Sequence, residues 1–278
     1  MSFVKKILFI FFLLVPISNS LGAMITHNQT VSVDPGTLIT GVAFNSDGTK
    51  VFTGSANDPD NQFINEFTLS IPYDVSSKTY TGDSERCDMG GRMESTPYDL
   101  EFSSDGMRFF IVTRNAGNNT AAGDKAYGFD LTSPYDVSTC TFASQTTDLD
   151  SPTFTSGSLA GDFDHAGAEN RKHRLQGIEI NNDGTKLFLI WFDAADADVG
   201  ARLLEYTLST PYDLTTLSLV TSAGISFATP AASSIYVNNP ASMRFSPNGK
   251  RVFITSHDEG NAGVTQVSLT NSFDTSSF

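Results

Sequence analysis

The sequence predicts an all-β fold, a β-propeller of four blades with four antiparallel strands in each. Three observations carry this expectation. Two short motifs recur four times along the chain in the same order. Apolar residues around them alternate with polar ones at strand spacing, and no segment shows a convincing 3.6-residue period. Gly, Ser, Thr and Asn are abundant while charged residues make up only 17%, a mixture that suits turns and strands better than a helical bundle. With 278 residues, 39% of them hydrophobic, the chain can bury a sizeable core.

The first motif reads FNSDGTKVF (Phe44 to Phe52), FSSDGMRFF (Phe102 to Phe110), INNDGTKLF (Ile180 to Phe188) and FSPNGKRVF (Phe245 to Phe253). Its Asp-Gly or Asn-Gly centre, set between alternating runs, is a hairpin turn, because Gly accepts positive φ without steric cost. The second motif reads FTLSIPYD (Phe67 to Asp74), FDLTSPYD (Phe129 to Asp136), YTLSTPYD (Tyr206 to Asp213) and VSLTNSFD (Val267 to Asp274). The locked φ of proline fixes another turn in three of the four copies. Each unit therefore holds an inner strand, the Asp-Gly turn, a second strand, a loop, a third strand, the Pro-Tyr-Asp turn and an outer strand. The repeated Phe residues are expected to pack between blades.

Gly48, Gly106, Gly184 and Gly249 lie 58, 78 and 65 residues apart. A propeller blade usually takes about 40 to 50 residues, so the excess belongs in loops. The repeat units fall near 25–76, 77–137, 138–214 and 215–278, with room in 146–174 for a degenerate fifth blade. The last unit stops after its third strand and Ser-Phe-Asp turn. The strand His27 to Val33 is expected to close the ring by pairing with the last blade, which would remove an exposed edge. The competing arrangement is an open stack of sheets, for which no capping segment is visible.

These motifs resemble the bacterial propeller repeats summarised as F-S-P-D-G, found in WD-like and YVTN lactonase-like proteins. The resemblance covers nearly the whole chain after its leader and implies the fold. That group contains enzymes, binders and proteins of other roles, so the resemblance leaves the activity open.

Lys5 and Lys6 precede the apolar run Ile7 to Val15, and small residues follow. This pattern reads as a secretory signal over 1–22, with one propeller domain over 23–278. Nine apolar residues are too few to span a bilayer, so no transmembrane segment is expected after signal removal. The expected location is periplasmic or extracellular. The formal net charge of -14 repels phosphate backbones and argues against nucleic-acid binding. Two cysteines, Cys87 and Cys140, cannot be the main staple of so long a chain. The register sets Cys87 at the loop end of one outer strand and Cys140 at the turn end of the next, which disfavours a bond between them.

Antiparallel order puts the Asp-Gly and Pro-Tyr-Asp turns on one face and the irregular loops on the other. Irregular loops on a rigid scaffold are where binding sites are usually built. That face is acidic and carries His165, His257 and Asp258, with Trp191 nearby as a core aromatic or a ligand platform. Asp193, Asp196 and Asp198 have the oxygen chemistry of a Ca2+ site without the spacing of an EF-hand, and such loops more often serve solvation. The inner strands supply a second candidate. Glu101, Glu179 and Arg244 align at one position beside Ala43, with Asp99 two residues earlier in its strand. These charges are expected to gather around the central channel, where Arg244 would pair with Glu101 or Glu179.

No G-x-S-x-G elbow, H-E-x-x-H pair or P-loop is present. The reading that follows is a secreted, non-catalytic propeller that binds a protein, glycan or other ligand through its acidic loop face. The alternatives are a metal-dependent lactonase-like hydrolase and a structural protein of an envelope or extracellular layer.

Overall fold

Each Asp-Gly turn is locked to the Pro-Tyr-Asp turn of its own sheet. The backbone N–H of Tyr73 donates to the carbonyl of Gly48 at 2.8 Å, and the same bond joins Tyr135 to Gly106, Tyr212 to Gly184 and Phe273 to Gly249. The aromatic ring then lies over the glycine. Gly106 has φ 69°, and a Cβ there would overlap the Tyr135 ring. The four turn aromatics themselves adopt positive φ, between 53° and 64°. An L-residue in that region costs roughly 1–2 kcal/mol, which the ring packing and the turn hydrogen bond offset. The two motifs of each repeat are thus one structural device.

The protein is described here from a computed structural model covering residues 38–56, 62–80, 82–89, 96–114, 125–147, 149, 173–193, 201–227, 237, 240–256 and 263–278. Four antiparallel sheets are arranged as a four-bladed β-propeller. The first holds β1 (Leu38–Phe44), β2 (Lys50–Ala56) and β3 (Gln62–Leu69), with β4 (Lys78–Thr79) and β5 (Arg86–Asp88) both pairing with β3. The second runs β6 (Thr96–Phe102), β7 (Arg108–Arg114), β8 (Ala126–Asp130) and β9 (Thr141–Gln145). The third holds β10 (His173–Ile180), β11 (Lys186–Asp193) and β12 (Ala201–Leu208), with β13 (Leu217–Leu219) and β14 (Ile225–Ser226) on β12. The fourth runs β15 (Pro240–Phe245), β16 (Arg251–Ser256) and β17 (Gly263–Ser268). A short 3-10 turn follows each Pro-Tyr-Asp or Ser-Phe-Asp corner, and in three of them the Asp side chain caps it, as Asp213 does for the N–H of Thr215.

The outer strand expected as one piece is split in the first and third sheets, because extra residues intervene between its two ends. Three strands are described in the fourth sheet. The leader 1–22, the strand expected over His27 to Val33, and most of the segment in which a fifth blade was sought lie outside the described residues.

Packing follows chain order. The repeated Phe residues meet between neighbouring sheets: Phe52 lies 4.6 Å from Phe102, and Phe188 lies 4.5 Å from Phe245, measured between ring centroids. One core lies between the first and second sheets, another between the second and third, and another between the third and fourth. Trp191 is buried in the middle one, with Leu175, Ile178 and Leu204 in the same core. Inner strands crowd at the axis. A Cβ on Gly177 would come within 3.1 Å of the Met243 backbone nitrogen, so that position takes no larger residue without a shift.

Cys87 and Cys140 form a disulfide, with their Cα atoms 5.7 Å apart. This corrects the sequence expectation. Each cysteine sits where the register put it, Cys87 opposite Ile64 on β5 and Cys140 just before β9. The inferred separation was wrong because alignment of the repeats within each sheet does not fix how far one sheet's corner reaches along its neighbour. The corner of the second sheet packs against β3 and β5 of the first, which brings Cys140 to the edge that carries Cys87. The backbone N–H of Val137 in that corner donates to Glu66 on β3 at 3.1 Å.

Candidate functional site

The inner strands β6, β10 and β15 each carry a bulge, between Pro97 and Asp99, between Leu175 and Gly177, and between Pro240 and Ser242. A bulge re-aims the side chains that follow it. Beyond the three bulges come Asp99 and Glu101, Glu179, and Arg244. The structure brings these four together at the axis, near the ends of the inner strands that lead into the Asp-Gly turns.

Asp99 is the deep member, with a side chain only 1% exposed. Its carboxylate accepts from the Leu100 N–H at 3.0 Å, the Ile178 N–H at 3.3 Å and the Ser242 hydroxyl at 3.0 Å. Arg244 closes the shell. Nη1 donates to Asp99 Oδ2 at 3.1 Å and Nη2 to Oδ1 at 3.2 Å, a bidentate pair. The same guanidinium donates to the carbonyls of Met243 at 2.6 Å, Leu100 at 2.9 Å and Ile178 at 3.3 Å. Arg244 therefore ties the inner strands of the second, third and fourth sheets together.

The two glutamates stand further from the guanidinium. Arg244 Nε is 3.4 Å from Glu101 Oε2, and Nη1 is 3.8 Å from Glu179 Oε2. Arg244 thus forms the ion pairs expected with Glu101 and Glu179, and its principal partner is Asp99, which sequence placed nearby without pairing it. Alignment could not show how far each bulge turns its strand.

One guanidinium faces three carboxyl groups, and burial sets how they share charge. Burial holds the Glu101 carboxyl up to about 7, with the Asp99 charge adding to the rise and Arg244 opposing it. Burial also raises Glu179 well above the ordinary glutamate range, helped by the nearby Glu101 charge and opposed by Arg244. Burial works against the charge of Arg244, and the three carboxylates outweigh it, so the guanidinium stays protonated. Glu179 Oε2 is buried and has no hydrogen-bond partner among the described residues.

The other sequence candidates are not part of this cluster. Trp191 is 1% exposed in the core between the second and third sheets. His165, Asp196, Asp198, His257 and Asp258 lie outside the described residues, and of Asp193 only the backbone at the end of β11 is described. Among the described residues no group of three or more His, Cys, Asp or Glu is arranged to hold a metal ion, and no helix is long and apolar enough to cross a membrane.

Sequence reasoning missed two further buried carboxylates. Glu66 and Glu205 are 4% and 2% exposed and pair with Lys50 and Lys186 at 2.5 and 2.6 Å. Their signal was available: both directly precede the second motif, opposite the last Phe of the first and diagonal to its basic residue.

No protein-family model matches the chain, and no curated protein matches it in sequence. Solved structures do. A protein from Lactobacillus plantarum is 12% identical with a TM-score of 0.46, the match covering 85% of this chain and 57% of that one. A putative 6-phosphogluconolactonase from Bacteroides fragilis is 14% identical with a TM-score of 0.43, covering 85% and 56%. The periplasmic gluconolactonase PpgL of Pseudomonas aeruginosa is 14% identical with a TM-score of 0.41, covering 85% and 55%. This chain thus spans well under two thirds of the length of each of these three neighbours.

Proposed function

We propose that the protein is a binding propeller that takes a cationic group of its ligand between Glu101 and Glu179. The observation that carries this reading is the unsatisfied Glu179 Oε2 beside a guanidinium whose Nη1 and Nη2 already donate to Asp99 and to backbone carbonyls. A buried polar atom without a partner costs roughly 1–3 kcal/mol, and an ammonium or similar donor would relieve that cost. The charge balance agrees, since three carboxyl groups share one fixed cation. The cation would displace protons from the two glutamates, so binding should release protons at neutral pH. The ligand can be a protein side chain, an amino sugar of a glycan or a small amine.

Isothermal titration with a panel of amines, polyamines and amino sugars tests this at pH 7 in two buffers of different ionisation enthalpy. The expected result is a ligand whose heat shows proton release and whose binding is lost in Glu179→Gln. A ligand bound equally well by Glu101→Gln and Glu179→Gln would move the site elsewhere.

A second reading rests on Glu101 alone. A carboxyl group that titrates at about 7 is suited to general acid–base work at neutral pH. Turnover of lactones or esters that disappears in Glu101→Gln would replace the binding role with a hydrolytic one.

A further inference from the structure

The interface between the first and second sheets and that between the third and fourth share one recipe. On the leading sheet a Phe of the second strand, a basic residue two positions before it and a residue of the third strand form a socket. On the following sheet the Tyr or Phe corner and the inner-strand aromatic form a plug. Lys50 donates to the Tyr135 carbonyl at 2.9 Å while Glu66 receives the Val137 N–H. Lys186 donates to the Phe273 carbonyl at 2.6 Å while Glu205 receives the Thr275 N–H at 2.8 Å and its hydroxyl at 2.7 Å. Between the second and third sheets the polar contacts differ: the Arg108 guanidinium lies over the Tyr212 ring, and Ser144 on the outer strand β9 receives the Leu214 N–H.

One socket and one plug are left over. The socket of the fourth sheet is Arg251, Phe253, Val264 and Gln266. Phe52, Phe110 and Phe188 are at most 1% exposed, but Phe253 is only half-buried, Gln266 and Arg251 are exposed, and Val264 is 67% exposed where its counterpart Ile64 is fully buried. The plug of the first sheet is Val42, Phe44 and the Tyr73–Val75 corner. Leu100, Ile178 and Met243 are at most 1% exposed, whereas Val42 in the same register is 54% exposed and Tyr73 is 59% exposed. Strands of the fourth and first sheets share no packing interface comparable to the other three among the described residues.

We propose that the protein associates with a second copy of itself, the first-sheet plug of one chain entering the fourth-sheet socket of the other. The fit is chemical as well as apolar. Arg251 stands where Lys50 and Lys186 stand and would donate to the Tyr73 carbonyl. Gln266 stands where Glu66 and Glu205 stand, and its amide oxygen would accept the Val75 N–H. Each seam joins a plug to a socket, and two copies related by a two-fold axis satisfy both seams. A second copy is favoured over closure within one chain because, among the described residues, both halves stand exposed and do not pack on each other.

Sedimentation velocity of the full chain at micromolar concentration is the first test, with an expected mass of at least two chains. Phe253→Asp and Tyr73→Asp should each reduce it to one chain with the fold intact by circular dichroism, and mixing the two variants should restore a dimer through the one seam still complete. The double variant Gln266→Cys, Val75→Cys provides a readout that does not depend on those charges. It places cysteines where Glu205 and Thr275 touch in the third and fourth sheets. Under oxidising conditions it should run as a covalent dimer on a non-reducing gel. A monomeric mass for the unaltered protein, a crosslink confined to one chain, or no crosslink would each overturn the proposal.

Discussion

Arg244 on the fourth sheet is held by Asp99 on the second through two hydrogen bonds of 3.1 and 3.2 Å, across 145 residues of sequence. Removing one partner of a buried pair leaves an uncompensated charge, which typically costs about 3–5 kcal/mol. Arg244→Met would leave three carboxyl groups facing one another. Two of them already titrate high, so acid relieves the repulsion. The variant should lose about 3–5 kcal/mol at pH 8 and distinctly less at pH 5, as read by urea unfolding at both values. An equal loss at the two pH values would show that Glu101 and Glu179 do not sense Arg244.

The charged cluster was legible in the sequence because Glu101, Glu179 and Arg244 fall at one aligned position of the repeat, one residue before the first motif. The pairing of Arg244 with the two glutamates was legible as well; the closer pairing with Asp99 was not. The choice of Asp99 as the anchor depends on three bulges, and a bulge leaves no mark in the alternation of a single sequence. The strands around the four Asp-Gly turns were readable for a simple reason: turn chemistry and period-two alternation are local. The Cys87–Cys140 bond was not, because the contact between one sheet's outer edge and the next sheet's corner is a property of the assembled sheets. The positive φ of Tyr73, Tyr135, Tyr212 and Phe273 was also hidden, since nothing in an aromatic side chain announces that conformation.

The raised carboxyls fix the sign of the pH dependence. Glu101 titrates at about 7 in the folded protein against an ordinary value of 4.5, and Glu179 and Glu66 are shifted the same way, chiefly by burial. The folded state therefore holds more protons than the unfolded one between these values, and stability falls as pH rises through that window. Each such proton contributes up to about 1.4 kcal/mol per pH unit. Asp47, Asp105, Asp183, Asp213 and Asp274 are held below 3.8, mainly by Ser or Thr side-chain hydrogen bonds. Their contribution is present above 3.8 and is lost as acid protonates them. Urea midpoints should peak between about pH 4 and 6, and Glu101→Gln should flatten the decline towards pH 8. A midpoint that rises steadily from pH 5 to 8 would contradict the assignment.

The disulfide should matter more than its single occurrence suggests. It closes a loop of 53 residues between the first and second sheets. In the chain-entropy account a loop of that length is stabilised by about 4 kcal/mol through restriction of the unfolded state. Cys87→Ala with Cys140→Ala should lower the unfolding free energy by several kcal/mol while leaving the far-ultraviolet spectrum of the folded state unchanged. A loss below about 1 kcal/mol would mean that the packing of Val137 against the first sheet already holds the outer edge.

Two glycines test whether the paired turns are one device. Gly106 has φ 69° with the Tyr135 ring where a Cβ would go, whereas Gly263 at the start of β17 has no atom within 4 Å of that position. Gly106→Ala must strain the backbone by roughly 1–2 kcal/mol and also displace the ring, which loosens the Tyr135 N–H bond to the Gly106 carbonyl. Its total cost should exceed the backbone strain alone. Gly263→Ala should change stability by no more than about 0.5 kcal/mol. Combining Gly106→Ala with Tyr135→Gly removes the ring and gives the corner a residue that tolerates positive φ. If ring and glycine are coupled, the double variant loses less than the two single losses added together, by about 0.5–3 kcal/mol. Strict additivity in thermal or urea unfolding would show that the two turns fold independently and that their fourfold recurrence has another cause.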